Sequence, residues 1–132
     1  MDPRIMEFAE DWLVIAGEDL DWAKASFKAG FYSRVCFVCQ QVAEKSLKGY
    51  LYAQKVEEKT HGLIRLMNLC VKFDAEFGKL KTDLAILQPY YMSTRYPDMG
   101  ETSKFNRREL AEEAVKAAER VLGFVKKKLS LT

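Results

Sequence analysis

The sequence lacks the features that would divide it into several domains or anchor it in a membrane. Its 132 residues include only seven glycines and three prolines, with no linker-like segment rich in them and no internal repeat. No apolar run approaches the ~20 residues that a membrane-spanning helix needs. The first ten residues carry more acidic than basic side chains, unlike a secretory signal. We therefore expect a single domain over residues 1–132, located in the cytoplasm and not in a membrane.

Strong charge of one sign and a disulfide framework are also absent. Lys and Arg number 21 against 19 Asp and Glu, and this net charge of +2 is too small for a nucleic-acid footprint, so any RNA contact must be local. The cysteines, Cys36, Cys39 and Cys70, are odd in number and lie among apolar residues, which indicates small core residues. Together with His61, the three cysteines match the number of ligands in a zinc site. Cys36 and Cys39, however, lie within an apolar helical stretch, with no turn that would let both thiolates reach one metal ion. We expect no metal and no other cofactor.

What the sequence does contain is helical periodicity, without strand-like alternation. Asp2 followed by Pro3 is a typical helix start, and the first apolar stripe predicts a helix that ends near Gly30. A second helix, over about residues 33–54, carries two apolar stripes and should be buried on two sides. Thr60 is expected to cap a third helix.

The second half of the chain predicts shorter helices and one long final helix. A fourth helix should start near residue 82, and Pro89 should kink it or mark the start of a new helix. Residues 93–104 are predicted to be irregular, and Asn106 with Glu109 resembles a capping box for the last helix. The predicted fold is all-α: an antiparallel four-helix up-and-down bundle with an additional short helix.

A polar strip runs along the second helix at spacings of three and four residues. It consists of Gln40, Gln41, Glu44, Lys45 and Lys48. Amide, carboxylate and ammonium groups on one strip suit hydrogen bonding to a base and neutralisation of a phosphate. The simpler interpretation is a solvated face with an internal Glu44–Lys48 pair, worth only ~0.2–0.5 kcal/mol.

Several short segments, taken in their order and spacing, resemble a known family. They are Ala16-Gly17-Glu18-Asp19-Leu20 with Ala23, Gly30-Phe31-Tyr32, the run from Cys39 to Lys48, Thr60-His61-Gly62-Leu63, and Arg95-Tyr96-Pro97-Asp98. Together they resemble the HEPN domain (higher eukaryotes and prokaryotes nucleotide-binding) in its short, stand-alone prokaryotic form. The resemblance spans nearly the whole chain.

The resemblance implies a helical bundle that is usually a homodimer, with a polar cleft near the dimer axis. Many members act with a minimal nucleotidyltransferase as a toxin and antitoxin pair. Other members are metal-independent ribonucleases that use an arginine followed four to six residues later by a histidine. Here residues 53–57 contain no arginine upstream of His61, so that motif is absent and the sequence leaves open whether the chain is an enzyme.

Two further residues stand out beside the polar strip. Arg95 could grip a phosphate while Tyr96 stacks on a base, or Arg95 could pair with Asp98 to brace its loop. His61, beside a helix start, could relay a proton or serve the structure alone.

The leading hypothesis is a nucleotide- or RNA-binding homodimer that pairs with a minimal nucleotidyltransferase. The residues assigned to nucleotide binding are Gln41, Glu44, Lys45, Lys48, Arg95, Tyr96 and Asp98. The alternatives are a ribonuclease with Arg95 and His61 as its catalytic residues, or a non-catalytic helical scaffold.

Overall fold

The computed structural model describes residues 2–93 and 102–131, and within these ranges the chain is helical with no strand. The α-helices are α1 (Pro3–Lys28), α2 (Tyr32–Ala53), α3 (Leu63–Val71), α4 (Lys81–Leu87), α5 (Tyr90–Ser93) and α6 (Arg108–Lys128). Short 3-10 helices cover Ala75–Leu80 and Thr102–Phe105. The all-α fold predicted from the sequence is confirmed, although residues 102–104 of the segment predicted as irregular belong to the 3-10 helix Thr102–Phe105.

The helices α1, α2, α4 and α6 alternate in direction. A three-residue turn joins α1 to α2, with Gly30 at a φ of +89° that glycine adopts without strain. At the start of α6, Arg108 lies over the Phe27 ring at the end of α1, so these two helices are antiparallel. Asp83 in α4 binds Arg120 in the second half of α6, which places α4 antiparallel to α6. Two shorter helices, α3 and α5, lie outside this set of four.

The start of α1 follows the sequence prediction. The Asp2 carboxylate accepts a hydrogen bond from the Arg4 N–H at 2.9 Å, and Pro3 occupies the first turn, where a missing N–H costs nothing.

Two other predicted caps are wrong. Gly62, and not Thr60, precedes α3, and the Thr60 hydroxyl instead accepts from the Gly62 N–H at 3.1 Å. Arg107 precedes α6 without a side-chain cap. The Asn106 side chain instead accepts from the Ser33 N–H in the first turn of α2, 73 residues away. A polar residue near a helix start can therefore serve a different helix, which sequence spacing alone does not reveal.

The core lies around α2, which is buried on two sides as predicted. The three thiols, Cys36, Cys39 and Cys70, are fully buried and unbridged. Burial raises the pKa of the Cys36 and Cys70 thiols to about 12, so these groups stay protonated and pack as small apolar residues. In the described ranges, no helix is long and apolar enough to cross a bilayer.

Candidate functional site

Glu44 lies at the centre of the polar strip on α2 and is buried. It retains only 5% of its accessible surface, and Gln40, one turn earlier, retains none. The strip was predicted as surface, and for these two residues that prediction is wrong. The segment before α3 covers this side of α2, because it returns alongside the helix and brings His61 against Glu44.

The Glu44 carboxylate is surrounded by hydrogen-bond donors. Lys48 Nζ donates to Oε2 at 2.9 Å, and His61 Nδ1 lies 3.1 Å from each oxygen. Gln40 Nε2 donates to Oε1 at 3.2 Å, with Gln41 Nε2 more distant at 3.5 Å. A buried carboxylate is tolerated only when it is paired and hydrogen-bonded in this way. We call Gln40, Gln41, Glu44, Lys48 and His61 the Glu44 cluster.

Gln40 fastens the returning segment to α2. Its amide nitrogen also donates to the His61 backbone carbonyl at 3.2 Å, and its amide oxygen accepts from Gln41 Nε2 at 2.7 Å. Both amide hydrogens therefore have acceptors, and one orientation of the amide satisfies the whole network. The backbone of His61 is held by the same helix that holds its ring.

The contact with Glu44 determines which nitrogen of a neutral His61 ring carries the hydrogen. A carboxylate only accepts hydrogen bonds, so Nδ1 carries the hydrogen and a neutral ring presents Nε2 as an acceptor. The Tyr91 ring stacks on the imidazole with a centroid distance of 4.3 Å and an interplanar angle of 14°. The His61 side chain is nevertheless 49% exposed. The arrangement can therefore offer a fixed imidazole nitrogen to a ligand or to a proton.

The two lysines of the strip have different partners. The Lys48 side chain is 12% exposed and donates to Glu44, which leaves further N–H groups on the same ammonium. The Lys45 ammonium instead turns towards α1 and lies 2.6 Å from Asp19. The structure therefore brings Gln41, Glu44, Lys48 and His61 together, while Lys45 joins α2 to α1.

Arg95, Tyr96 and Asp98 lie outside the residues that the structure describes. The described range that begins at Asp2 extends to Ser93, two residues after the ring that stacks on His61. The pairing of the Glu44 cluster with Arg95 stays a prediction.

Sequence reasoning missed two parts of the arrangement. It treated Gln40 as one more member of a surface strip, although this residue carries the link to the His61 backbone. It also gave no role to Tyr91, whose ring stacks on His61. A signal was present, because Tyr91 follows Pro89 and shortly precedes the segment assigned to nucleotide binding.

Other parts of the described chain offer less. No group of three His, Cys, Asp or Glu side chains there could hold a metal ion. A hollow of about 580 Å³ between α1 and α6 is lined by Glu10, Glu18 and Asp21, beside two lysines. Three carboxylates make that hollow unsuitable for a phosphate.

Comparison with known proteins agrees with the fold and with the motifs. The family model described as the HEPN domain matches residues 9–128. The chain is similar to the crystal structure of TT1696 from Thermus thermophilus, with a TM-score of 0.79 and 33% identity over 91% of this chain and 97% of that one. It is also similar to ST0689, an archaeal HEPN homologue, with a TM-score of 0.73 and 31% identity over 92% and 97%. No curated protein matches.

Proposed function

Because the chain belongs to the HEPN family, we propose that it is a homodimeric nucleotide- or RNA-binding module of the cytoplasm that acts with a minimal nucleotidyltransferase as a toxin and antitoxin pair. The observation that carries the binding proposal is the Glu44 cluster, in which a buried carboxylate holds an exposed imidazole and an ammonium in fixed positions. An ammonium group donates hydrogen bonds to an RNA phosphate, and an imidazole Nε2 can accept one from a ribose hydroxyl.

The proposed binding residues are those predicted from the sequence, but their expected contributions to ligand binding differ. Gln41, Lys48, Arg95, Tyr96 and Asp98 would contact the ligand, and Glu44 would hold Lys48 and His61 in place. Lys45 would contribute less, because Asp19 already binds its ammonium.

Thermal unfolding in the presence of nucleotides and short RNAs tests the binding proposal. A ligand at a hundred times its dissociation constant should stabilise the fold by ~2.7 kcal/mol. Lys48→Met and Arg95→Ala should reduce the shift, whereas Lys116→Met, which changes an exposed lysine of α6, should not. No shift with any nucleotide or RNA would leave only the scaffold interpretation.

An exposed apolar stripe on α1 supports the homodimer. Phe8, Ile15 and Trp22 are spaced seven residues apart and are 55%, 45% and 47% exposed, although each is large and apolar. Side chains at this spacing lie on one face of a helix. Contiguous apolar surface of this kind commonly marks a protein interface.

The oligomeric state tests the homodimer with a matched pair of variants. Ile15→Asp should shift the mass measured by light scattering from dimer towards monomer. Val14→Asp is the control, because Val14 is 60% exposed but lines the hollow on the α6 side of α1. A wild-type mass that stays monomeric at high concentration would contradict this part of the proposal.

Growth assays test the partnership. Expression of this chain with a minimal nucleotidyltransferase encoded beside it should relieve a growth defect that one of the two proteins causes alone. The two proteins should also elute together from a sizing column. Independent elution, with growth unaffected by either protein, would contradict the pairing.

The Glu44–His61 contact also favours a second candidate function, that of a metal-independent ribonuclease. A carboxylate that holds Nδ1 leaves Nε2 in position to accept a proton, as in other acid–base sites. In this candidate, Arg95 would stabilise the charge that develops on the phosphate. The test is to incubate labelled structured RNA with the protein in EDTA. Cleavage by the wild type that is lost in both His61→Ala and Arg95→Ala would establish the ribonuclease. RNA that stays intact after prolonged incubation with the wild type would exclude it.

A further inference from the structure

A second hollow, of about 400 Å³, lies directly beside the Glu44 cluster. Trp12, Lys48 and Tyr52 line it together with residues 56–59. A hollow of this size lies within the range of small-molecule sites, and it combines two aromatic rings with a cationic group.

The two rings are held firmly. Trp12 lies where α1 packs tightly against α2, because a Cβ built on Gly49 would lie only 2.8 Å from the Trp12 Cβ, and its side chain packs against the core. The Tyr52 ring packs edge-on against Phe8 with a centroid distance of 6.0 Å. Rings fixed in this way can stack on a base at little cost in conformational entropy.

Lys48 connects this hollow to the Glu44 cluster. Its side chain lines the hollow while its ammonium donates to Glu44. The segment that closes the hollow, residues 56–59, also continues directly into Thr60 and His61. Lys48 Nζ and His61 Nδ1 contact the same Glu44 oxygen, at 2.9 Å and 3.1 Å, so a ligand that reaches Lys48 in the hollow also comes near the imidazole.

The charged residues that line the hollow are also compatible with a bound nucleotide. The Glu58 carboxylate already has partners within the protein. It accepts hydrogen bonds from the backbone N–H groups of Lys59 and Thr60 and pairs with Arg65. Glu57 is exposed, and a carboxylate at such a position can accept from ribose hydroxyls. Lys48 and Lys59 supply positive charge for a phosphate.

We propose that this hollow binds an unpaired nucleobase against Trp12 and Tyr52, while the phosphate attached to that nucleoside reaches Lys48. This inference rests on the proposed nucleotide- or RNA-binding function and adds where the base lies. The ligand is a free nucleotide or the unstacked end of an RNA strand, since a base inside a duplex cannot reach the rings.

The chain's two tryptophans allow a direct test. Trp22→Phe leaves Trp12 as the single tryptophan, and Trp12→Phe leaves Trp22. Each protein is titrated with AMP, with a single-stranded oligoadenylate and with a blunt RNA duplex, and fluorescence and thermal unfolding are recorded together. We expect quenching of Trp12 and none of Trp22. Quenching by AMP and the oligoadenylate indicates a free-nucleotide site, quenching by the oligoadenylate alone indicates an RNA end, and the duplex should have little effect.

Affinity provides the second measurement. Trp12→Leu and Tyr52→Leu keep apolar bulk but remove the rings, and each should weaken binding by about 5- to 150-fold. Phe73→Leu, which changes an exposed ring beyond the end of α3, should leave affinity unchanged.

The outcomes separate this inference from the function on which it rests. Stabilisation by RNA without quenching of Trp12 would overturn the base site and leave the binding function standing. No stabilisation at all would overturn both. A Trp12 emission that shifts with protein concentration alone, and no longer responds to RNA, would show that a second copy of the chain fills the hollow, which also overturns the base site.

Discussion

Two clusters of carboxylates and lysines at different places in the molecule invite comparison. In the first, Glu44 and Lys48 pair at 2.9 Å with 6% and 12% of their side chains exposed. In the second, Lys128 at the end of α6 binds both Asp74, at 2.8 Å, and Glu76 near the start of the 3-10 helix Ala75–Leu80. The first cluster is withdrawn from water, while the second lies at the surface.

The difference shows which cluster stability alone can explain. The surface cluster fastens the end of α6 to a neighbouring segment, and such pairs form at little cost. A buried pair loses hydration that its mutual attraction only partly restores, so apolar residues of the same size would often serve stability as well. The Glu44 cluster is therefore the one whose polar groups call for a functional explanation.

The largest expected effect tests whether Glu44 is energetically different from a surface carboxylate. Glu44→Ala removes the acceptor for Lys48 and His61, and breaking a buried pair in this way should cost about 3–5 kcal/mol. The double variant Glu44→Leu with Lys48→Met should recover much of this loss, because it leaves no buried charge. Urea unfolding measures both values. A single-variant loss below about 1 kcal/mol, as for a surface pair, would remove the distinction between the clusters.

A smaller effect tests how closely α1 packs against the half of α2 that carries the site. Gly49→Ala should destabilise the fold by about 1–3 kcal/mol, because the added Cβ would lie 2.5 Å from Leu13 Cδ2 and 2.8 Å from Trp12 Cβ. Gly123→Ala is the matched control in α6, where nothing lies within 4 Å, and it should stabilise by up to about 1 kcal/mol. Equal effects at the two positions would show that α1 is not closely packed there.

The sequence predicted the bundle because apolar periodicity determines which helix faces are buried. The start of α1 at Asp2 and Pro3, its end near Gly30, and the two-sided burial of α2 all follow from local patterns. The Asn106 cap was wrong because its side chain bonds an N–H of α2, 73 residues away. The Thr60 cap was wrong because α3 starts after Gly62, so the Thr60 hydroxyl bonds an N–H that precedes the helix.

The candidate site was predictable as a set of residue types but not as an arrangement. Spacing placed Glu44, Lys45 and Lys48 on one strip, yet the strip contains both a buried carboxylate and a lysine that turns to Asp19. Burial of Glu44 results from the segment that returns past α2, whose path depends on tertiary packing. The stacking of Tyr91 on His61 joins residues 30 positions apart, which no local pattern encodes.

The smallest expected effect sharpens the comparison from the side of the surface cluster. Hydrogen bonds from Lys128 hold the pKa of Asp74 and of Glu76 below their usual values, and the same bonds raise the pKa of Lys128. The stability from the two carboxylates is therefore present above their usual range and is lost as the pH falls below about 4. The contribution of Lys128 is present at lower pH and is lost as the pH rises beyond about 10.4.

Unfolding midpoints of wild type and Lys128→Met should thus differ slightly at neutral pH and converge at both extremes, and 1 M salt should reduce the difference. A difference that persists below pH 3 or does not depend on salt would show that Lys128 acts through its contact with Phe124, whose ring centroid lies 5.5 Å from its ammonium, and not through the two carboxylates.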